Sequence, residues 1–253
     1  MSSILAAIDT SAAAGPVLAT ALAIAELFDA RAEAIHVRDG DQETAQASAR
    51  RAGVPLRTAS GPPLETLLSA AREEEVEAVV IGARAVPLGD RPVGAVARAV
   101  VTSLRKPIVV VPPHAPARAR IDRVLVPLAG TPGARAAMIG FVERAQAHER
   151  ELVLLHVYGE RSIPSFTEQP AHEMEAWSEE FLARHCPPGP AREVRLETRV
   201  GSVPWEILRV SEQIESHLLA LCWSQVLTAD RGNVVRQCLE QATTPILLVP
   251  YLG

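Results

Sequence analysis

The chain has 253 residues, which bounds it to one or two domains, and 48% of them are hydrophobic, enough for two packed cores. Net charge of −5 and a pI near 5.8 exclude a general nucleic-acid-binding surface, which needs a basic face. The longest apolar stretch, from Ala12 to Phe28, is interrupted by Gly15, Pro16, Thr20 and Glu26, so a core helix is expected there and no membrane span.

In chain order, Ile4–Ile8 reads as a short apolar strand and Pro16–Ala30 as a helix with proline near its start, where a missing N–H costs nothing. Thr10 and Ser11 are placed to cap that helix. A strand over Glu33–Val37, a polar, alanine-rich helix over Gln42–Ala52 and a weak strand over Leu56–Ala59 follow. Leu64–Glu74 has Leu64, Leu67, Leu68 and Ala71 at helical spacing. Then come a strand at Val76–Ile81, a loop, a helix at Ala95–Leu104 and a strand at Ile108–Val111. Strands that alternate with helices predict a parallel sheet covered on both faces.

The second half repeats the first. Ile4 to Ser11 and Val124 to Thr131 open the two copies, and Pro107-Ile-Val-Val-Val-Pro112 and Pro245-Ile-Leu-Leu-Val-Pro250 close them. Asp9 to Ala129 and His36 to His156 are both offsets of 120. Between Gly61 and Gly201 the offset grows to 140, which places an insertion at residues 159–190, a loop plus a helix over Ala171–His185 that carries Trp177 and Phe181. The predicted organisation is a first unit over 1–113, a proline-rich linker over 114–120 and a second unit over 121–253. Each is a five-stranded, mostly parallel open α/β sheet of the doubly wound, Rossmann-like kind. The closing strands Ile108–Val111 and Ile246–Val249 are candidates to pair across a two-fold, with each other or with a second chain, and to extend the assembly as free edges.

The Ile8-Asp9-Thr10-Ser11 opening, the strand ending His36-Val37, the Gly61-Pro-Pro and Gly201-Ser-Val-Pro steps and the closing Pro-Ile-Val-Val-Val-Pro, repeated in order, resemble the universal stress protein family in its tandem form. The resemblance covers essentially the whole chain. It implies a cytoplasmic stress-response protein, an internal pseudo-dimer or a homodimer, and ATP, with Mg, as ligand. Asp9 matches the family's acidic residue at the adenosine end and Val37 a position whose backbone lies along the adenine. Gly82, Arg84, Gly94, Ala95 and Val96 match the loop and helix start at the phosphates. Elementary topology agrees, since an open parallel sheet binds ligands at the carboxyl ends of its strands, and helix N-termini attract phosphate.

The family's loop reads Gly, two residues, Gly, nine residues, Gly, then Ser or Thr. Here Ala85 replaces the second glycine, the spacing to Gly94 is one residue short, and Ala95 stands where a hydroxyl is expected. Losing a hydroxyl bonded to a charged phosphate removes roughly 1.5–3 kcal/mol, about ten- to hundredfold in affinity. Gly89 is an additional backbone candidate, and Arg84 or Arg91 can pair with phosphate. In the second copy Ala129 replaces the acid, Cys222-Trp223-Ser224-Gln225 replaces the first glycine pair, and Gly232-Asn233 keeps one glycine. The expectation is therefore one nucleotide site, in the first half. The alternative is a nucleotide-free scaffold that meets an unidentified protein partner through the insertion.

No enzymatic activity is expected beyond weak ATP hydrolysis. There is no Gly-x-Ser-x-Gly elbow, no GxxxxGK[ST] loop and no GxGxxG after a strand. His36 and His156 stand at equivalent strand ends and are expected to hold their own loops. The remaining histidines are scattered, so no metal site is proposed. Cys186, Cys222 and Cys238 form no CxxC pair, and no signal peptide is recognisable, which points to a reducing cytoplasm and inert thiols.

Overall fold

The computed structural model describes residues 1–37, 42–83, 94–158, 170–187, 193–226 and 232–251, with the side chains of 170–175 excepted. The first half runs β1 (Ser3–Ala7), α1 (Ala14–Leu27), β2 (Arg31–Val37), α2 (Gln42–Ala52), β3 (Leu56–Ala59), α3 (Pro63–Ala71), β4 (Val76–Gly82), α4 (Ala95–Ser103) and β5 (Ile108–Val111). The second runs β6 (Arg123–Pro127), α5 (Pro132–Ala147), β7 (Glu151–Tyr158), α6 (Pro170–His185), β8 (Glu193–Val200), α7 (Val203–Gln213), β9 (Leu218–Trp223), α8 (Asn233–Gln241) and β10 (Ile246–Pro250).

The strand order is β3-β2-β1-β4-β5-β10-β9-β6-β7-β8. Each half is thus a five-stranded parallel unit with one internal order, and the units meet where β5 and β10 pair antiparallel, Val110 opposite Ile246 and Ile108 opposite Leu248. The two closing strands therefore occupy the centre of one ten-stranded sheet and are not free edges. Each has its partner within the chain, and the edges belong to β3 and β8.

Both faces of the sheet are covered, which is why its central strands, such as β5 and β10, read as unbroken apolar runs. Ile4 and Ala6 of β1 pack with α1 and α2, whereas Leu5 packs with α3 and α4. Val109 and Val111 face the first layer, and Ile108 and Val110 the second. This is the period-two alternation of a strand buried on both sides. The second half repeats it, with α5 and α6 on one face and α7 and α8 on the other.

The glycines of the strand-to-helix steps have a backbone reason. Gly61 and Gly201 have φ of +134° and +144°, a region L-residues rarely adopt, and a Cβ on Gly61 would sit 2.9 Å from Thr66 Oγ1. The single lysine is likewise structural, since Lys106 Nζ donates to the carbonyls of Glu73 and Val76, both at 2.6 Å.

The start of α1 departs from the expected cap. The helix begins at Ala14, two residues before Pro16, and its N-cap Ala13 offers no side-chain bond. Ser11 Oγ instead accepts from Ala13 N–H at 3.2 Å, while Ser11 donates to Asp9 Oδ1 through its N–H at 2.9 Å and its hydroxyl at 2.6 Å. Ser11 thus serves the turn that leads out of β1.

Candidate functional site

In the first half, β1 and β4 are neighbours whose following helices lie on opposite faces. That reversal opens a crevice at their carboxyl ends. A cavity of about 410 Å³ lies there, and Asp9, Val37, Gly82, Gly94, Ala95 and Val96 all line it. Arg84 lies outside the described residues, as do Ala85, Gly89 and Arg91, so only the ends of their loop are on view. Those ends are clamped, since Ala83 N–H donates to Val111 O and Gly94 N–H donates to Ala83 O, both at 2.8 Å.

This second bond changes what Gly94 can do. Its amide is occupied, so Gly94 presents no free donor to a ligand. The available donors are the first-turn N–H groups of α4, which have no intrahelical partner. The N-cap Gly94 brings no side chain to satisfy them. Its φ is −64°, a conformation open to any residue.

At the other end of the cavity, the two hydrogen bonds from Ser11 fix the Asp9 carboxylate through Oδ1. Among the described residues Oδ2 has no hydrogen-bond partner. The walls between these polar ends are apolar, with Ile8, Ala14, Val17, Ile35 and Leu67. One carboxylate acceptor, a dry middle and a row of amide donors make a site for a ligand with hydroxyls at one end and negative charge at the other.

His36 and His156 prove to be equivalent latches. His36 Nδ1 donates to Ile8 O at 3.1 Å, and His156 Nδ1 donates to Leu128 O at 2.9 Å. A carbonyl oxygen only accepts, so Nδ1 carries the proton in both. Each ring ties the end of one strand to the segment leaving its neighbour, which holds Asp9 at the cavity in the first half and Ala129 in the second.

The second half has its own cavity at the same place, of about 650 Å³, lined by Ala129, His156, Tyr158, Trp177, Phe181 and Cys222 among others. Its polar character differs because Ala129 supplies no carboxylate. Trp223 and Gln225, in the segment that replaces the glycine pair, have another task. Trp223 is 1% exposed and its Nε1–H donates to Val101 O at 3.1 Å, and Gln225 Nε2 donates to Leu104 O at 2.5 Å. Both acceptors lie at the end of α4, in the other half. Sequence reasoning missed this role. The one available signal was the tryptophan itself, a large buried-type residue inside the segment that replaces the glycine pair.

The thiols are shielded. Burial pushes the Cys222 thiol up, partly opposed by a backbone hydrogen bond at Trp223, and burial raises Cys186 and takes Cys238 to about 12. Thiolate is the reactive form. At neutral pH an aromatic disulfide reagent should release far less than one equivalent from the native chain in the time that the unfolded chain releases all three. A fast native equivalent would contradict this placement.

Among the described residues no group of three or more His, Cys, Asp or Glu side chains could hold a metal ion, and no helix is long and apolar enough to cross a membrane. No curated protein matches the sequence significantly. Solved structures do match in fold. A universal stress protein from Archaeoglobus fulgidus DSM 4304 superposes with a TM-score of 0.69 at 16% identity, over 98% of this chain and 96% of that one. A putative universal stress protein from Pseudomonas aeruginosa UCBPP-PA14 gives 0.69 at 14% identity, over 98% and 93%. A functionally unknown protein from Pseudomonas aeruginosa PAO1 gives 0.69 at 14%, over 98% and 92%. The model of the universal stress protein family matches residues 39–112 and 120–250. The chain, with its two matched regions and its duplicated α/β unit, belongs to the universal stress protein family.

Proposed function

We propose that the chain is a cytoplasmic regulatory protein of stress responses whose first half binds one adenine nucleotide, ATP with Mg²⁺. The observation that carries this reading is the cavity that gathers Asp9, Val37, Gly82 and the start of α4. Its size falls within the roughly 300–1,000 Å³ of small-molecule sites. Asp9 Oδ2 accepts from ribose hydroxyls, the backbone at Val37 lies along the base, and the apolar walls enclose the ring. The amides of Ala95 and Val96 meet the phosphates at the helix N-terminus. Mg²⁺ in such a site is held mainly by phosphate oxygens and water. Binding itself, and no chemical step, is the output.

The test is calorimetric titration of the intact chain with Mg-ATP. Saturable one-site binding in the micromolar range is expected. Asp9→Ala should weaken it by about tenfold to a hundredfold, the worth of hydrogen bonds to a charged acceptor. No heat up to millimolar ATP would overturn the reading.

A second reading, a nucleotide-free scaffold acting through the second half, is favoured by one observation. Val200, Val203 and Trp205 are 51%, 36% and 54% exposed beside the edge strand β8. Exposed aromatic and aliphatic side chains grouped at a sheet edge suit contact with a protein partner.

A further inference from the structure

The cavity of the second half is too unlike its counterpart to be a worn copy of it. Where the first cavity has a carboxylate, the second has Ala129, and among the described residues no Asp or Glu lines it. In exchange, α6 lays aromatic rings along one wall. His156 stands edge-on to Tyr158 with centroids 4.6 Å apart, and Trp177 lies 5.4 Å from Tyr158 and 5.0 Å from Phe181. Phe181 lies 4.3 Å from His185. The spacings among His156, Tyr158, Trp177 and Phe181 suit further aromatic contact, since rings pair favourably at about 4.5–7 Å between centroids.

Among the described residues the charged lining is one-signed. Arg184 and His185 both line the cavity. Burial, then Arg135, Arg184 and His156, push the His185 pKa below its ordinary value, so its surroundings are positive. His185 is 3% exposed, and its buried Nδ1 has no hydrogen-bond partner among the described residues. A buried polar atom of this kind is costly unless something meets it. Among the described residues the one acid paired with Arg184 is Glu180, an exposed i,i+4 partner with 57% and 67% of the two side chains open to water. A pair of that kind is weak, so it leaves the guanidinium free to turn. Simple packing of an inserted helix would explain the rings. It would explain neither the open volume of about 650 Å³ nor the orphaned nitrogen.

We propose that this second cavity binds a small aromatic carboxylate, its ring held among Tyr158, Trp177 and Phe181 and its carboxylate met by Arg184 and His185 Nδ1–H. A nucleotide is the poorer occupant, because Ala129 gives its ribose no acceptor and the rings take the space beside it. The site is independent of the nucleotide site in the first half.

The probe is naphthoate, titrated calorimetrically into the intact chain, with naphthalene methanol as its neutral counterpart. One saturable site for naphthoate is expected. Arg184→Gln, an exposed position whose far-UV circular dichroism should match the parent, should weaken naphthoate by about tenfold or more and leave naphthalene methanol unchanged. Asp9→Ala should leave naphthoate binding intact. The proposal is overturned if naphthoate gives no saturable heat, if Arg184→Gln binds it as well as the parent, or if Mg-ATP displaces it competitively.

Discussion

Trp223→Ala should lower the free energy of unfolding by about 3–5 kcal/mol, the range for emptying a large aromatic site in a core. The indole is 1% exposed among the residues that α7, α8 and β9 bury with α4. It also meets a need of the other half. The last carbonyls of a helix lack intrahelical partners, and Val101 is one of them in α4. The bond from Trp223 Nε1 satisfies it across the seam, and Gln225 does the same for Leu104. Trp223→Phe keeps most of the volume and removes only the donor, so its cost should be smaller, about 1–3 kcal/mol. Denaturant unfolding followed by far-UV circular dichroism gives both values. A loss under about 1 kcal/mol for the alanine variant would mean that the seam is not held there.

The second large effect is an inequality between two partners. Arg150 is 1% exposed, and its guanidinium sits 2.5 Å from Glu26 of α1 and 4.0 Å from Asp122. Among the described residues it makes no aligned side-chain hydrogen bond, so charge attraction carries its burial. Glu26→Gln strands a buried cation with only the more distant Asp122, a change that costs about 3–5 kcal/mol when nothing compensates. Arg150→Met removes the charge and leaves Glu26, 45% exposed, to water. Glu26→Gln should therefore be the more damaging of the two in urea unfolding. The reverse order would show that the packing of the arginine stem matters more than its charge. Neighbouring contacts between the halves, Arg144 to Phe28 O at 2.7 Å and His148 to Asp29 at 3.2 Å, are more exposed and should matter less.

Repetition made the fold legible. A gapless offset of 120 placed Asp9 beside Ala129 and His36 beside His156, and the two histidines make the same bond to the same carbonyl position. Strands buried on both faces have a plain signature, so Ile108–Val111 was found at its observed bounds. What stayed hidden depends on contacts between distant segments. Nothing local marks Arg150 as buried, since its partner is on a helix more than a hundred residues earlier. Trp223 read as a defect in a glycine loop because its acceptor is in the other half. The occupied amide of Gly94 needed the strand end at Ala83, and the cap at Ser11 needed the turn at Asp9. The gathering of Asp9, Val37, Gly82, Ala95 and Val96 round one cavity follows from strand order, which alternation implies. The opposite character of the second cavity follows from α6, whose aromatic residues were visible but whose docking position was not.

The central claim is that the two halves have parted in function, with nucleotide confined to the first. It is tested most directly by photolabelling the intact chain with azido-ATP and mapping the modified peptides by mass spectrometry. The account predicts label on the segments that line the first cavity, around Asp9, Val37 and the start of α4, removed by excess Mg-ATP and by Asp9→Ala. Protectable label around Ala129, Trp177 or Cys222 would contradict it, as would no protectable label at all.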